Sequence, residues 1–165
     1  MANAKSPIPE GFHTVTPQLI FDNAAQAIDW YKKALGAEEK ARAVAPDGKI
    51  MHAELQIGNS RLMLNDAMGG GKSAKALGGT PITLWVYVQD CDALFKRAVA
   101  AGAQVVPGPM GQLADQFWGD RTGVVTDPYG YQWTIATRKE DLPREEMDRR
   151  AKEFFKQFAH QPSHA

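Results

Sequence analysis

The sequence predicts an α+β fold made of two successive β-α-β-β-β units, and three observations carry that expectation. Short runs with an apolar residue at every second position alternate with two segments of helical spacing, and Gly, Pro and Asn separate them. The order of elements is met twice. Sliding the chain by 66 or 67 residues lays Ala27–Gly36 onto Leu94–Gly102, each helix following a strand and ending in Gly-Ala. Finally, Trp118 to Ile135, WGDRTGVVTDPYGYQWTI, reads as a hairpin around an Asp-Pro-Tyr-Gly turn. Pro128 presets φ near about −65°, Gly130 supplies the positive φ that reverses the chain, and Asp127 can cap the turn.

Taken in order, residues 1–13 are rich in Pro, Gly and polar residues and read as an N-terminal arm. The first module spans 14–68. Thr16 to Phe21 is a strand, and Asn23 to Leu35 is a helix with Ala27, Ile28, Tyr31 and Leu35 on one face and Gly36 as its stop. Glu38 to Val44 is an extra strand. Lys49 to Ile57 and Ser60 to Asn65 are alternating runs joined at Gly58-Asn59, a good two-residue hairpin turn. Residues 69–80 form a Gly-rich connector or pocket lip without periodicity.

The second module, 81–138, repeats the pattern: strand Ile82 to Val88, helix Cys91 to Ala101 stopped by Gly102, short strand Gln104 to Val106, then the hairpin. Residues 139–165 hold a helix over Asp141 to Phe158 and a tail, Ala159 to Ala165, that reads as frayed. Asp141 can cap this helix, Pro143 suits an early turn, and Glu145-Glu146 suit the dipole. Its stripe of Met147, Ala151, Phe154, Phe155 and Phe158 suits packing on its own domain or on a second subunit.

Composition narrows the partners. Of 165 residues, 44% are hydrophobic, enough for a core. Nineteen basic side chains balance nineteen acidic ones, which disfavours nucleic acid or an anionic membrane as partner. The single cysteine, Cys91, excludes an internal disulfide framework and a cysteine-based zinc site. With no apolar leader segment and no run of about 18 apolar residues, a cytoplasmic protein is expected. The Gly69-Gly70-Gly71-Lys72 run lacks the spacing of a phosphate-binding loop.

The hairpin, with Trp-Gly-Asp-Arg before its turn, closely resembles the last hairpin of the vicinal oxygen chelate superfamily of glyoxalases, bleomycin-resistance proteins and extradiol dioxygenases. Ile50-Met51-His52-Ala53-Glu54-Leu55, Arg61-Leu62-Met63-Leu64-Asn65-Asp66 and Phe117-Trp118-Gly119-Asp120-Arg121 resemble its PhnB-like subgroup. The resemblance covers about residues 14 to 137. It implies that paired β-α-β-β-β modules curl their mixed sheets into a cup, with the helices on the convex side and the ligand on the concave side. It also implies a homodimer, and a divalent metal held by His, Glu or Gln from the first and last strands of each module. The corresponding positions here are Thr16, Leu62 or Met63, Thr83 and Thr134. None is a usual ligand, so no metal or other cofactor is expected.

Alternation along the strands sorts the remaining candidates. Ile82, Leu84, Val86 and Val88 form the helix-facing side of their strand, leaving Thr83, Trp85 and Tyr87 for the cup. Thr16, Gln18 and Ile20 take the equivalent face of the first strand, opposite Leu19 and Phe21. His52, Glu54 and Gln56 alternate with Ala53, Leu55 and Ile57. His52 and Glu54, about 7 Å apart along one strand face, suit a histidine–carboxylate pair for proton transfer or a rim pair with a cross-strand partner. Trp85, Tyr87, Trp118 and Phe117 can wall a planar or apolar ligand. Asp120 and Arg121 can orient a polar substrate, with Arg121 clamping a carboxylate or phosphonate, or Arg121 is simply solvated. Thr134 completes the candidate ligand-binding set.

Three functions follow as expectations. One is a small-molecule binding or sequestering protein of the bleomycin-resistance type without the metal. The second is a metal-dependent lyase, isomerase or dioxygenase of the same superfamily with relocated ligands, for which a divalent metal stays possible. The third is a structural or regulatory dimer.

Overall fold

The computed structural model describes residues 4–158. The first module consists of β1 (Gln18–Phe21), α1 (Ala24–Leu35), β2 (Glu38–Val44), β3 (Ile50–Ile57) and β4 (Ser60–Asp66). The second holds β5 (Thr83–Tyr87), α2 (Cys91–Ala100), β6 (Gln104–Val105), β7 (Ala114–Asp115), β8 (Asp120–Thr126) and β9 (Gln132–Arg138), and α3 (Arg144–Phe158) follows.

The two sheets share one topology. Their orders are β1-β4-β3-β2 and β5-β9-β8-β6, and in each the first strand runs parallel to the last while the last pairs antiparallel with its predecessor. The repeat seen in the helices therefore extends to the strand pairing. Each parallel pair needs a crossover, and the helix supplies it. β7, which pairs with β8 off this path, was not expected from the sequence, because two residues carry no readable period.

Local chemistry sets the helix ends. Asn23 accepts a hydrogen bond from the Gln26 amide at 3.1 Å, and Gly36 takes φ 70°, a left-handed C-cap that disfavours a side chain. Asp90 caps α2 in the same way, accepting from the Ala93 amide at 2.9 Å. α3 begins three residues after the expected cap: the Asp141 carboxylate is held by Arg138 instead, and Pro143 offers its carbonyl to the Met147 amide. β1 likewise starts at Gln18 rather than Thr16, since Pro17 has no N–H to give and contributes only its carbonyl, to the Met63 amide.

The core lies between each helix and its sheet. Leu19, Phe21, Ala27, Ile28, Tyr31, Leu55 and Leu64 are buried in the first module, and Val86, Leu94, Phe95, Val125, Trp133 and Ile135 in the second. Polar contacts tie the modules together. Trp30 Nε1 donates to the Ala101 carbonyl at 2.8 Å, and Arg97 Nε to the Ala34 carbonyl at 2.9 Å. The Tyr131 hydroxyl bonds both the amide and the carbonyl of Ile20, each at 2.9 Å.

The Asp-Pro-Tyr-Gly turn reaches further than a turn requires. Gly130 adopts φ 93° and its amide returns to the Asp127 carbonyl. One Asp127 oxygen accepts from the Tyr129 and Tyr131 amides, and the other from the Tyr31 hydroxyl at 2.6 Å and Trp133 Nε1 at 3.0 Å. Burial is the strongest influence on this carboxyl and pushes its pKa up, against the four hydrogen bonds.

The connector is less open than its composition suggests. Ser73 and Ala74 are buried, and a Cβ on Gly130 would sit 3.3 Å from the Lys75 amide. As a lip it lines a cleft of about 730 Å³ with Leu77, Gly79, Asp127, Pro128 and Gln132. Among the C-terminal residues, Phe154 packs 5.2 Å from Phe117 of the same chain while Phe155 stays exposed. The Phe158 side chain and the tail read as frayed, 159–165, lie outside the described residues.

Candidate functional site

Each sheet has one face on its helix and one face turned away, and the register says which side chains share the latter. In the first sheet Gln18 pairs with Met63, Met63 with Glu54, and Arg61 with Gln56, so these residues and His52 lie together. Leu62 and Leu64 fall on the helix side and are buried. Of the alternatives Leu62 and Met63, it is therefore Met63 that faces away from the helix, and a thioether is a poor ligand for a hard divalent ion.

His52 and Glu54 do meet: Nε2 to Oε1 is 3.3 Å. Glu54 also lies 3.8 Å from Arg61 Nη1. Gln56 is engaged locally, donating to the Gly58 carbonyl at 2.9 Å, and Gln18 donates to Asn65 Oδ1 at 2.7 Å.

In the second sheet Thr83, Trp85 and Tyr87 stand opposite Gln132, Thr134 and Ala136 of β9. β9 in turn sets Thr134 against Val124 and Arg138 against Asp120. Trp85 is 49% exposed and Tyr87 58%, with ring centroids 6.0 Å apart. Thr134, at 4%, is the covered floor beside them, and Thr83 Oγ1 lies 3.3 Å from Gln132 Oε1. Ile82, expected on the helix side, is 63% exposed because the strand begins one residue later.

Asp120 is the polar centre of this face. It is 2% exposed, and its Oδ2 accepts from the Tyr87 hydroxyl at 2.9 Å and from Trp118 Nε1 at 3.0 Å. Its Oδ1 lies 3.6 Å from Arg138 Nη1 and receives no hydrogen bond among the described residues. Burial, then the Asp120 carboxylate, pushes the Tyr87 phenol up, so Tyr87 is a neutral donor at neutral pH. Trp118 is thus fixed at the edge of the aromatic pair, with Phe117 edge-on behind it at 4.9 Å.

Arg121 is corrected by the structure. Strand alternation places it on the helix side of β8 with Gly123 and Val125. There Nε and Nη2 donate to Asp92 of α2 at 2.7 and 2.9 Å, and Nη1 to Asp115 at 3.2 Å. A guanidinium so occupied ties α2 to the sheet and is not a clamp beside Trp85. The partner carboxyl of Asp92 is held down to about 2 by the hydrogen bonds from Arg121.

The positions where the resemblance implies metal ligands do not fit one. Thr16 gives its hydroxyl to the His13 carbonyl at 3.3 Å, and Met63, Thr83 and Thr134 bring a thioether and two alcohols. No group of three or more His, Cys, Asp or Glu side chains is placed to hold an ion among the described residues. Cys91 is buried at the start of α2, its amide donating to Thr137 Oγ1. No helix among the described residues is long and apolar enough to cross a membrane.

Sequence reasoning passed over Arg61, Asn65, Arg138 and Phe12. Arg61 and Asn65 alternate with the buried Leu62 and Leu64, so their facing was legible; Phe12 sits in an arm without a period.

Comparison with known proteins agrees with this architecture. An uncharacterized protein of Mycobacterium bovis is 46% identical over 138 residues, covering 81% of this chain and 88% of that one. The crystal structure of TioX from a Micromonospora species superposes with a TM-score of 0.60 at 28% identity, over 79% of this chain and all (100%) of TioX. The PhnB protein of Bacillus cereus shares the fold, with a TM-score of 0.60 at 17% identity, covering 76% of this chain and 99% of its own. The profile of the Glyoxalase/Bleomycin resistance protein/Dioxygenase superfamily matches residues 11–135. With its duplicated β-α-β-β-β sheets and helices on one side of each, the chain belongs to that superfamily.

Proposed function

We propose that this protein binds a small planar or apolar molecule on its open sheet faces, as a binding or sequestering member of its superfamily that works without the usual metal. The observation that carries the reading is the solvent-open pair of Trp85 and Tyr87, backed by Thr134 and bordered by Trp118 and Asp120. Large aromatic surface left in water is costly, at about 25 cal/mol per Å², and a ligand face laid on it recovers that energy. The Asp120 carboxylate adds direction by orienting the Tyr87 hydroxyl and the Trp118 indole. A homodimer is part of the proposal, since Phe155 on α3 stays exposed beside Phe154 and Phe117.

A panel of planar aromatic metabolites, read by tryptophan fluorescence and calorimetry on wild type and Trp85→Ala, tests the reading. Binding by wild type that weakens at least tenfold in the variant is expected. A panel without a binder, or one bound equally by both proteins, refutes it.

A second reading has one observation behind it, the 3.3 Å contact of His52 with Glu54. A carboxylate against an imidazole is suited to moving a proton at Nε2, which is the seed of an enzyme of the lyase or isomerase kind. Turnover lost in His52→Ala while the binding seen at Trp85 persists would favour it. Metal-supplemented protein that retains one divalent ion per chain, lost in His52→Ala, would favour relocated ligands.

A further inference from the structure

Arg61 has a setting that a purely structural arginine does not need. It sits on the open face of the first sheet, beside Gln56 and Glu54, and its Nε and Nη1 are buried without a hydrogen-bond partner among the described residues. Its ion partner among the described residues, Glu54, is 3.8 Å from Nη1, beyond hydrogen-bond reach. A guanidinium is planar and carries its donors as two forks, each matched to an oxyanion; here both forks contain an unengaged nitrogen. The guanidinium carbon lies over the Phe12 ring, 5.5 Å from its centroid, a cation–π contact.

The arm is fitted closely to this group. Gly11 takes φ 79°, and a Cβ there would stand 3.2 Å from Arg61 Nη2. A side chain there would be strained by the left-handed φ and would press on the guanidinium. The described residues of the arm thus bring an aromatic ring to the cation but no oxygen acceptor to its unengaged donors.

We propose that Arg61 is the anchor of a binding site for a planar aromatic carboxylate, and that Phe12 occupies the place of the ligand's ring in the unliganded protein. The ligand's carboxylate engages the unpartnered Arg61 donors as the arm yields, and its ring takes the place of Phe12 beside the guanidinium. Glu54 and His52 lie at the edge of the site and set its polar rim. The inference rests on the small-molecule binding reading above, and assigns a ligand class to the first sheet.

The test uses 2-naphthoate, with neutral 2-naphthamide as control, titrated into the full chain by calorimetry and followed at the arginine side-chain Nε resonances by NMR. Phe12→Ala is expected to bind 2-naphthoate at least tenfold more tightly than wild type, because the competing ring is gone. Arg61→Gln in the Phe12→Ala background is expected to lose at least tenfold in affinity for the carboxylate and to leave the amide unaffected. Arg61→Lys, which keeps charge and stem but not the fork, falls between them and covers the case of a misfolded glutamine variant.

Equal affinity with and without the Arg61 fork overturns the proposal, as does a Phe12→Ala protein that binds no better than wild type or not at all. Binding that responds to Trp85→Ala but not to Arg61→Gln or Arg61→Lys overturns it while leaving the aromatic-face reading intact. Loss of every Trp85-dependent signal, with Arg61-dependent binding retained, does the reverse.

Discussion

Replacing Asp127 should unfold the joint between the two modules more readily than any single change to an exposed face. Its two oxygens satisfy two backbone amides of its own turn, the indole of Trp133 and the hydroxyl of Tyr31, four donors in all. Asp127→Ala leaves them without an acceptor in a buried site. An orphaned buried donor costs about 1–3 kcal/mol, so four without relief would cost on the order of 4–12 kcal/mol. We take ~3–5 kcal/mol, because Tyr31 can turn its hydroxyl and water can enter beside Tyr129.

Asp127→Asn keeps one oxygen for the amides but points an NH₂ at the Trp133 N–H, for about 1–3 kcal/mol. At about 2–4 °C per kcal/mol for a chain of this size, the alanine variant should melt roughly 6–20 °C lower. Urea unfolding followed by tryptophan fluorescence and far-ultraviolet circular dichroism measures both. An alanine variant within about 1 kcal/mol of wild type would refute the reasoning.

The pH dependence gives an independent check on the same residue. Because burial raises the folded-state pKa of Asp127 above its ordinary 3.8, the stability it contributes is complete below that value and is lost as pH rises through the folded pKa. The lead of wild type over Asp127→Asn should therefore shrink from acid toward neutral pH. A lead that grows would mean that the four hydrogen bonds outweigh burial.

Other changes test other joints. Asp66 accepts from the Ala24 amide at 2.6 Å and from the Ile50 amide at 2.7 Å, so Asp66→Ala should cost about 1–3 kcal/mol or more in urea unfolding. Gly123→Ala places a Cβ 2.6 Å from the Phe95 ring under α2 and should destabilise by ~1–3 kcal/mol, with relief when Phe95 is shortened to Leu. Asp92, at about 2 in the fold against an ordinary 3.8, contributes stability above the higher value that is lost as pH falls through the lower. Wild type should lose its lead over Asp92→Asn across that acid window, and parallel curves would show the pairing with Arg121 to be inert. The arm is expected to matter to ligand affinity more than to folding, so Phe12→Ala should leave the unfolding free energy from urea titration within about 0.5 kcal/mol of wild type.

Much of the fold was legible because its signals are local. Asn23 and Gly36 bracket α1 through capping chemistry, and Gly58-Asn59 and Asp-Pro-Tyr-Gly specify turns through the φ values they permit. The facing of Trp85 and Tyr87 was legible too, since Leu84 and Val86 alternate with them. Arg121 misled because the neighbouring Val124-Val125 pair blurs the period just where the register decides it. Ile82 misled because it lies outside its strand, where alternation has no meaning.

The sequence by itself determined the elements other than β7, their order, their duplication and the turn chemistry, because each depends on neighbours within a few residues. Only the tertiary structure decided what the polar groups do. Asp127 meets the Tyr31 hydroxyl across 96 positions of chain, and Arg121 meets Asp92 across 29. Phe12 reaches Arg61 from an arm that has no periodicity to read. Such pairings follow from how the helices and sheets of two modules pack, and packing brings together groups that no local pattern relates.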